Sequence, residues 1–229
     1  LAPKAELLRL RKQAWKAWFY NIIGHPKKPK LLGGTIGISW KDYESLNGYD
    51  ENFIGWGCED DDLRLRVRRA GLKVKSILHW TYTYHLWHPT EETRPDFWSK
   101  GLNVARLNRL IRMTRCMNGL NQRSPKDIVV RLAGTPDSLT KVKKLTPQAM
   151  RTFGPDERTE VEILYLPGKG SFSGRADCNV LVLTETGIDV GRGNGAHLIL
   201  RSDAFDSDEE QLPPVFPLDQ FGEALRKVL

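Results

Sequence analysis

The sequence predicts an α/β protein with two parts. Residues 1–123 combine helical apolar periodicity with glycine-flanked turns, whereas residues 124–229 contain short apolar runs, bounded by glycines, that are typical of strands. The parts also differ in charge, with net +10 in the first and −3 in the second, which together give the +7 of the whole chain. Because the composition turns polar and proline-containing from Asn118 onward, a domain boundary is expected near Arg123.

A basic amphipathic helix is predicted at the start of the chain. Apolar and aromatic residues between Ala5 and Ile23 alternate with five basic residues between Lys4 and Lys16. Such a helix either packs against the rest of its domain or lies on a membrane surface, where tryptophans and positive charge are favoured. The sequence leaves both alternatives open. No apolar run approaches the roughly 18 residues that a membrane span requires.

Four consecutive acids, Glu59–Asp62, follow a tryptophan between two glycines and precede a run of arginines. Acids at the start and arginines at the end predict a short helix whose dipole is complemented at both ends. An aromatic face beside carboxylates is also suited to holding a sugar ring and its hydroxyls. On the residues alone, a charged helix start is the simpler of these two interpretations. The expected ion pairs one turn apart are Asp60–Arg64 and Asp62–Arg66.

The order and spacing of three motifs resemble one enzyme family. The motifs are Gly33-Gly34-Thr35-Ile36-Gly37-Ile38, Asn47-Gly48-Tyr49-Asp50-Glu51-Asn52-Phe53 and Gly55-Trp56-Gly57-Cys58-Glu59-Asp60-Asp61-Asp62-Leu63. Between residues 32 and 89 the chain is similar to the C-terminal half of the catalytic domain of inverting GT-A glycosyltransferases, both the animal β-1,4-galactosyltransferases and bacterial family 2 enzymes. The resemblance implies a partial GT-A (nucleotide-diphospho-sugar transferase) fold for residues 1–123. Residues 124–229 are expected to form a small α+β domain of unknown function.

The resemblance assigns a role to each motif residue. Asp60 matches the general base that takes the proton of the acceptor hydroxyl, and neighbouring acids make it a stronger base than an isolated aspartate. Cys58 is a departure, because the galactosyltransferases have glycine there. The matching substrate-binding positions are Trp56, which lies against the sugars; Glu59 and Asp61, which hold acceptor hydroxyls; and Gly33 and Gly34, where the backbone approaches the donor sugar.

Two histidines, His85 and His88, are three residues apart in an aromatic segment. Imidazole is a common ligand of Mn²⁺ and Zn²⁺, yet two histidines packed among aromatic rings fit the same pattern equally well. The resemblance implies that both complete a divalent metal site, with Mn²⁺ or another divalent cation offsetting charge on the departing diphosphate. The Asp-x-Asp motif that supplies most of this site in GT-A enzymes belongs to a donor-binding half that would precede these motifs.

The predicted function is therefore metal-dependent, inverting transfer of a sugar from a nucleotide-diphosphate donor to a hydroxyl of a glycan or glycolipid acceptor, in bacterial surface polysaccharide biosynthesis. The alternative is a non-catalytic carbohydrate-binding remnant of the same fold. Because the donor-binding half is not recognised in the sequence, the chain is expected to be part of a longer enzyme and not to transfer sugar alone.

Charge and cysteine content bear on partners and location. The positive charge of residues 1–123 suits a pyrophosphate donor, an anionic glycolipid or the inner membrane surface. Nucleic acid is not expected as a partner, since no nucleic-acid-binding module accompanies the charge. Three widely spaced cysteines do not suggest a disulfide framework and favour a cytoplasmic location, at the inner face of the membrane if the first helix contacts lipid.

Overall fold

The computed structural model describes residues 4–31, 35–81, 86, 89, 92–109, 111–133, 159–166, 171–183, 195–201, 215–217, 220 and 223–224. The chain divides into two compact units, Leu1–Asn108 and Arg109–Leu229. This division precedes the boundary expected near Arg123, because Ile111 and Met113 are buried in the apolar core of the second unit.

The first unit contains four α-helices in its described residues. Their bounds are Lys4–Ile22 (α1), Trp40–Ser45 (α2), Glu59–Arg69 (α3) and Leu102–Leu107 (α4), with a 3-10 turn at Trp98–Lys100. A small core forms around the buried side chains of Leu46, Leu63 and Val67, and the last two lie one turn apart on the same face of α3. None of the described helices is long and apolar enough to cross a membrane.

The second unit contains a five-stranded sheet. The strands are Val130–Ala133 (β1), Thr159–Leu166 (β2), Ala176–Leu183 (β3), Leu198–Arg201 (β4) and Val215–Pro217 (β5). They are hydrogen-bonded in chain order and all run parallel, with Val161 paired to Cys178 and Val180 to Leu198. A parallel sheet is typical of the α/β class, so this unit is closer to α/β than to the α+β domain predicted for it.

Both faces of the sheet are buried, as parallel sheets require. Alternate residues of the strands point to opposite faces, so Val161 and Ile163 join one core cluster while Leu164 joins the other. The apolar runs at residues 160–166, 178–184 and 196–201 predict three strands, and these are confirmed as β2, β3 and β4. The flanking strands β1 and β5 were not predicted.

Candidate functional site

The turn that leads into α3 uses backbone conformations that favour glycine. Gly55 has φ of 75° and Gly57 has φ of 92°, both in the left-handed region. A Cβ atom on Gly55 would lie 2.7 Å from the Thr93 side-chain oxygen, Oγ1. The glycines on either side of Trp56 therefore allow a tight turn that a larger residue at position 55 would block.

Cys58 is the N-cap residue of α3 and also has a left-handed conformation, with φ of 78°. Few non-glycine residues adopt this conformation, because the Cβ atom approaches the backbone. The side chain is buried, and burial, together with the nearby Asp61 and Glu59 carboxylates, raises the pKa of the thiol. The galactosyltransferase-like glycine that the resemblance implies here would fit this backbone without strain.

Asp60 is half-buried in the first turn of α3 and accepts one hydrogen bond. The Tyr49 hydroxyl donates to Asp60 Oδ1 at 3.0 Å. Burial and the adjacent Asp60 charge raise the pKa of Tyr49, so the phenol stays protonated and remains a donor. Oδ2 of Asp60 has no hydrogen-bond partner among the described residues, and Asp60 forms no ion pair with them. One carboxylate oxygen is thus oriented while the other is available to a ligand.

The neighbouring acids differ in how they are satisfied. Arg64 binds Asp61 Oδ1 through Nε at 3.1 Å and Nη2 at 3.0 Å, and Lys30 lies 3.6 Å from Asp61 Oδ2. The predicted Asp60–Arg64 pair is therefore wrong, since Arg64 pairs with Asp61. Glu59 has a buried oxygen, Oε2, with no hydrogen-bond partner in the part of the chain that the structure describes.

Asp62 has a structural contact that the sequence predicted. Arg66 Nε donates to Asp62 Oδ2 at 2.7 Å, and both side chains are fully buried. The two other nitrogens of the guanidinium donate to the backbone oxygens of Leu46 and Gly48 at 2.9 and 2.8 Å. These two backbone contacts fix α3 against the turn that carries Tyr49, whose hydroxyl donates to Asp60.

Trp56 presents an aromatic surface beside this acidic turn. Its indole is 39% exposed, and its backbone N–H donates to Thr93 Oγ1 at 2.7 Å. The exposed Trp98 ring meets the Trp56 ring edge-on, with centroids 6.3 Å apart, and the Arg94 guanidinium lies 5.4 Å from the Trp56 ring. The Thr93 hydrogen bond and the Trp98 contact hold the Trp56 ring in place, and a fixed, exposed ring is suited to stacking on a sugar.

Helix α4 holds the 50–57 loop through two side chains that the sequence analysis missed. Asn103 accepts a hydrogen bond from the Ile54 N–H and donates to the backbone oxygens of Ile54 and Gly57. Arg106 binds the buried Asp50 carboxylate, with Nη2 at 2.9 Å from Oδ2. We name Asn103, Arg106 and Asp50 the α4 clamp. The clamp residues are far apart in sequence, so no local pattern indicates them.

Several predicted site residues lie outside the described residues. They are Gly33 and Gly34, expected beside the donor sugar, and His85 and His88, expected at the metal. Among the residues that are described, no group of three or more His, Cys, Asp or Glu side chains is arranged to hold a metal ion. Asp61 and Asp62 already bind basic side chains. The described part of the site does not by itself make up a metal centre.

Residues 18–89 match the family described as the N-terminal domain of galactosyltransferase. We call residues 18–89 the galactosyltransferase segment, after the family to which they are similar. The match includes Tyr49, Trp56 and the four acids, and it ends before Thr93 and α4. The predicted resemblance to the β-1,4-galactosyltransferases is confirmed, while the assignment to a C-terminal half and the similarity to bacterial enzymes stay predictions.

Curated relatives match the same part of the chain. Beta-1,4-galactosyltransferase 3 of Homo sapiens is 34% identical over 71 residues, which cover 29% of this chain and 18% of that protein. Beta-1,4-galactosyltransferase 4 of Cricetulus griseus is 32% identical over 90 residues, covering 38% of this chain and 24% of that protein. The chain thus spans about a fifth to a quarter of the length of these relatives. No solved structure matches it.

Proposed function

We propose that the galactosyltransferase segment carries the acceptor side of an inverting glycosyltransferase site. The reaction transfers a sugar from a nucleotide-diphosphate donor to a hydroxyl of a glycan or glycolipid acceptor. The observation that supports it most is the Asp60 carboxylate, four residues after the exposed Trp56: Tyr49 holds Oδ1, and Oδ2 has no hydrogen-bond partner among the described residues. The similarity of residues 18–89 to β-1,4-galactosyltransferases supports the same reaction class.

In this proposal Asp60 is the general base. Inversion requires a group that removes the proton of the acceptor hydroxyl on the face opposite the leaving diphosphate. The Tyr49 hydrogen bond orients the carboxylate, and the N-terminal end of α3 favours its negative charge. Asp61 and Asp62 are poorer candidates for this role, because each is paired with an arginine.

Trp56 and Glu59 would bind the acceptor. A sugar ring stacks on the exposed indole, and a sugar hydroxyl can donate to the buried Glu59 oxygen, Oε2, for which the described part of the chain offers no partner. Asp61 is the third proposed acceptor contact, although Arg64 and Lys30 already hold its carboxylate. Gly33 and Gly34 are proposed to lie beside the donor sugar.

A divalent cation, Mn²⁺ in the first instance, is proposed to contact His85 and His88. When bound, it would offset the negative charge that develops on the departing diphosphate. We further propose that the reaction serves surface polysaccharide biosynthesis at the cytoplasmic face of a membrane, in line with the positive charge of residues 1–123.

The base is tested by Asp60→Asn in an active preparation that contains this chain. Release of nucleotide diphosphate should fall by about two to four orders of magnitude, because general-base catalysis contributes that much. Acceptor binding, measured by calorimetry on the 229-residue chain, should change little. Asp96→Asn is the matched control, since Asp96 is an exposed aspartate of the same unit. Turnover of the Asp60→Asn variant near that of the wild type would rule out Asp60 as the base. If every preparation of the wild-type chain bound sugar without turnover, the result would favour a non-catalytic remnant.

The metal contact is tested by replacing His85 and His88 with alanine together. The Mn²⁺ concentration that gives half-maximal activity should rise by roughly tenfold or more, because the site would lose two ligands. His25→Ala is a suitable control, since His25 lies in the loop after α1. An unchanged Mn²⁺ titration in the double variant would instead support packing of the two histidines among aromatic rings.

A further inference from the structure

We infer that the outward face of α1 docks on an anionic lipid bilayer, with the helix lying in the plane of the membrane interface. This inference goes beyond the proposed sugar transfer and does not depend on it.

The outward face of α1 carries an exposed apolar stripe. Leu8, Trp15, Phe19 and Ile22 are spaced seven, four and three residues apart, which places them on one side of an α-helix. Leu8, Trp15 and Ile22 are 66%, 67% and 61% exposed. Four large apolar side chains along one helix face form the kind of contiguous patch that marks an interaction surface.

The opposite side of α1 already contacts its own unit. Ala17 is the buried residue of the helix, and Asn21 is held near its C-terminal end by two hydrogen bonds. Asn21 Nδ2 donates to the Ser76 backbone oxygen at 2.6 Å, and the Ser76 N–H donates back to Asn21 Oδ1 at 2.9 Å. Packing within the unit therefore uses the Ala17 and Asn21 side, and it leaves the apolar stripe unburied.

The charges of α1 select a bilayer over a second copy of the chain. The helix has five basic residues and one acid, Glu6, which pairs with Arg9. Arg11, Lys12 and Lys16 form no ion pair with the described residues. Two copies meeting through this face would bring their cations together, whereas an anionic membrane surface attracts each basic side chain. Long basic side chains can also reach lipid headgroups while the tryptophans lie at the interface.

Vesicle co-sedimentation of the 229-residue chain tests the inference. The probes are vesicles of phosphatidylcholine alone and vesicles of phosphatidylcholine mixed with phosphatidylglycerol. We expect binding to the mixed vesicles only, weakened by salt. The double variant Trp15→Glu and Phe19→Glu should weaken that binding by about tenfold or more, because neither aromatic ring would then be buried in the bilayer interface. Arg11→Gln and Lys12→Gln should each weaken it by roughly fivefold.

Trp80→Glu is the matched control, because Trp80 is an 80% exposed tryptophan of the same unit and lies outside α1. It should bind as the wild type does, and circular dichroism should show unchanged helix content in all variants. Equal affinity for neutral and anionic vesicles, or full binding by the Trp15→Glu and Phe19→Glu double variant, would overturn the inference. A third result would also overturn it: the wild type forms a dimer in sedimentation and does not bind vesicles, and the double variant is a monomer.

Discussion

The first unit buries mainly charged and amide side chains, whereas the second buries mainly aliphatic ones. Among the described residues, the first unit has six buried polar and five buried apolar side chains. The second unit has four buried polar and eighteen buried apolar side chains. Loops such as residues 46–57 cannot satisfy their backbone groups through a sheet, so side chains such as Arg66 and Asn103 bind them directly. The comparison indicates that order in the first unit depends on a few directional contacts, while the sheet depends on many apolar ones.

The largest expected effect on stability comes from Arg66→Leu. This change removes the Arg66 guanidinium from the buried Asp62 carboxylate, together with two donors to the loop backbone. Loss of one partner from a buried ion pair costs about 3 to 5 kcal/mol of unfolding free energy. All seven tryptophans lie in residues 1–108, so urea unfolding followed by tryptophan fluorescence reports on the first unit.

Ile163→Val is the comparison in the second unit. It removes one methylene from the sheet core and should cost about 0.5 to 1.5 kcal/mol, measured by the far-ultraviolet circular dichroism of the strands. If Arg66→Leu cost no more than Ile163→Val, the contrast between the two units would not hold.

An effect smaller than that of Arg66→Leu is expected from Asn103→Ala in the α4 clamp. The Ile54 N–H and the backbone oxygens of Ile54 and Gly57 would lose their partner, which costs about 1 to 3 kcal/mol when such groups stay buried. We expect faster proteolysis within residues 50–57 and weaker acceptor binding. Asn108→Ala, an exposed asparagine after the same helix, should change stability by less than about 0.5 kcal/mol. Equal proteolysis of the two variants would show that α4 does not order the loop.

An effect of opposite sign is expected from Cys58→Gly. A left-handed conformation costs a non-glycine residue about 1 to 2 kcal/mol, and the lost thiol burial offsets part of that gain. The variant should therefore be more stable by about 1 kcal/mol in thermal unfolding. Cys178→Gly, the same replacement in the extended strand β3, should destabilise the protein. Destabilisation by both variants would mean that Cys58 packing outweighs its backbone strain.

Local patterns explain what the sequence could predict of the site. Helix α3 and its Asp62–Arg66 pair follow from residues within one turn of each other. The partner of Arg64 could not be chosen this way, because Asp60 and Asp61 are both within reach. Contacts from outside the helix decide it: Tyr49 binds Asp60, and the Lys27 backbone oxygen accepts from Arg64 Nη1 at 3.3 Å.

The same distinction applies to the fold. Strands β2, β3 and β4 follow from their apolar runs, whereas β5 is only three residues long and too short to show such a pattern. Apolar residues at helical spacing predict one helix from Trp98 to about Met117, and this prediction is wrong beyond Leu107, where α4 ends. Apolar spacing continued past that point, but burial of Ile111 and Met113 in the second core keeps this stretch non-helical.

The position of Arg106 limits how far the galactosyltransferase segment can be transplanted. The family match ends at residue 89, yet the guanidinium that neutralises the buried Asp50 comes from position 106. A chimaera that grafted only residues 18–89 into another scaffold would bury the Asp50 carboxylate without the Arg106 guanidinium. Recombination boundaries that keep the 50–57 loop together with the α4 clamp should therefore fall after Leu107, where α4 ends.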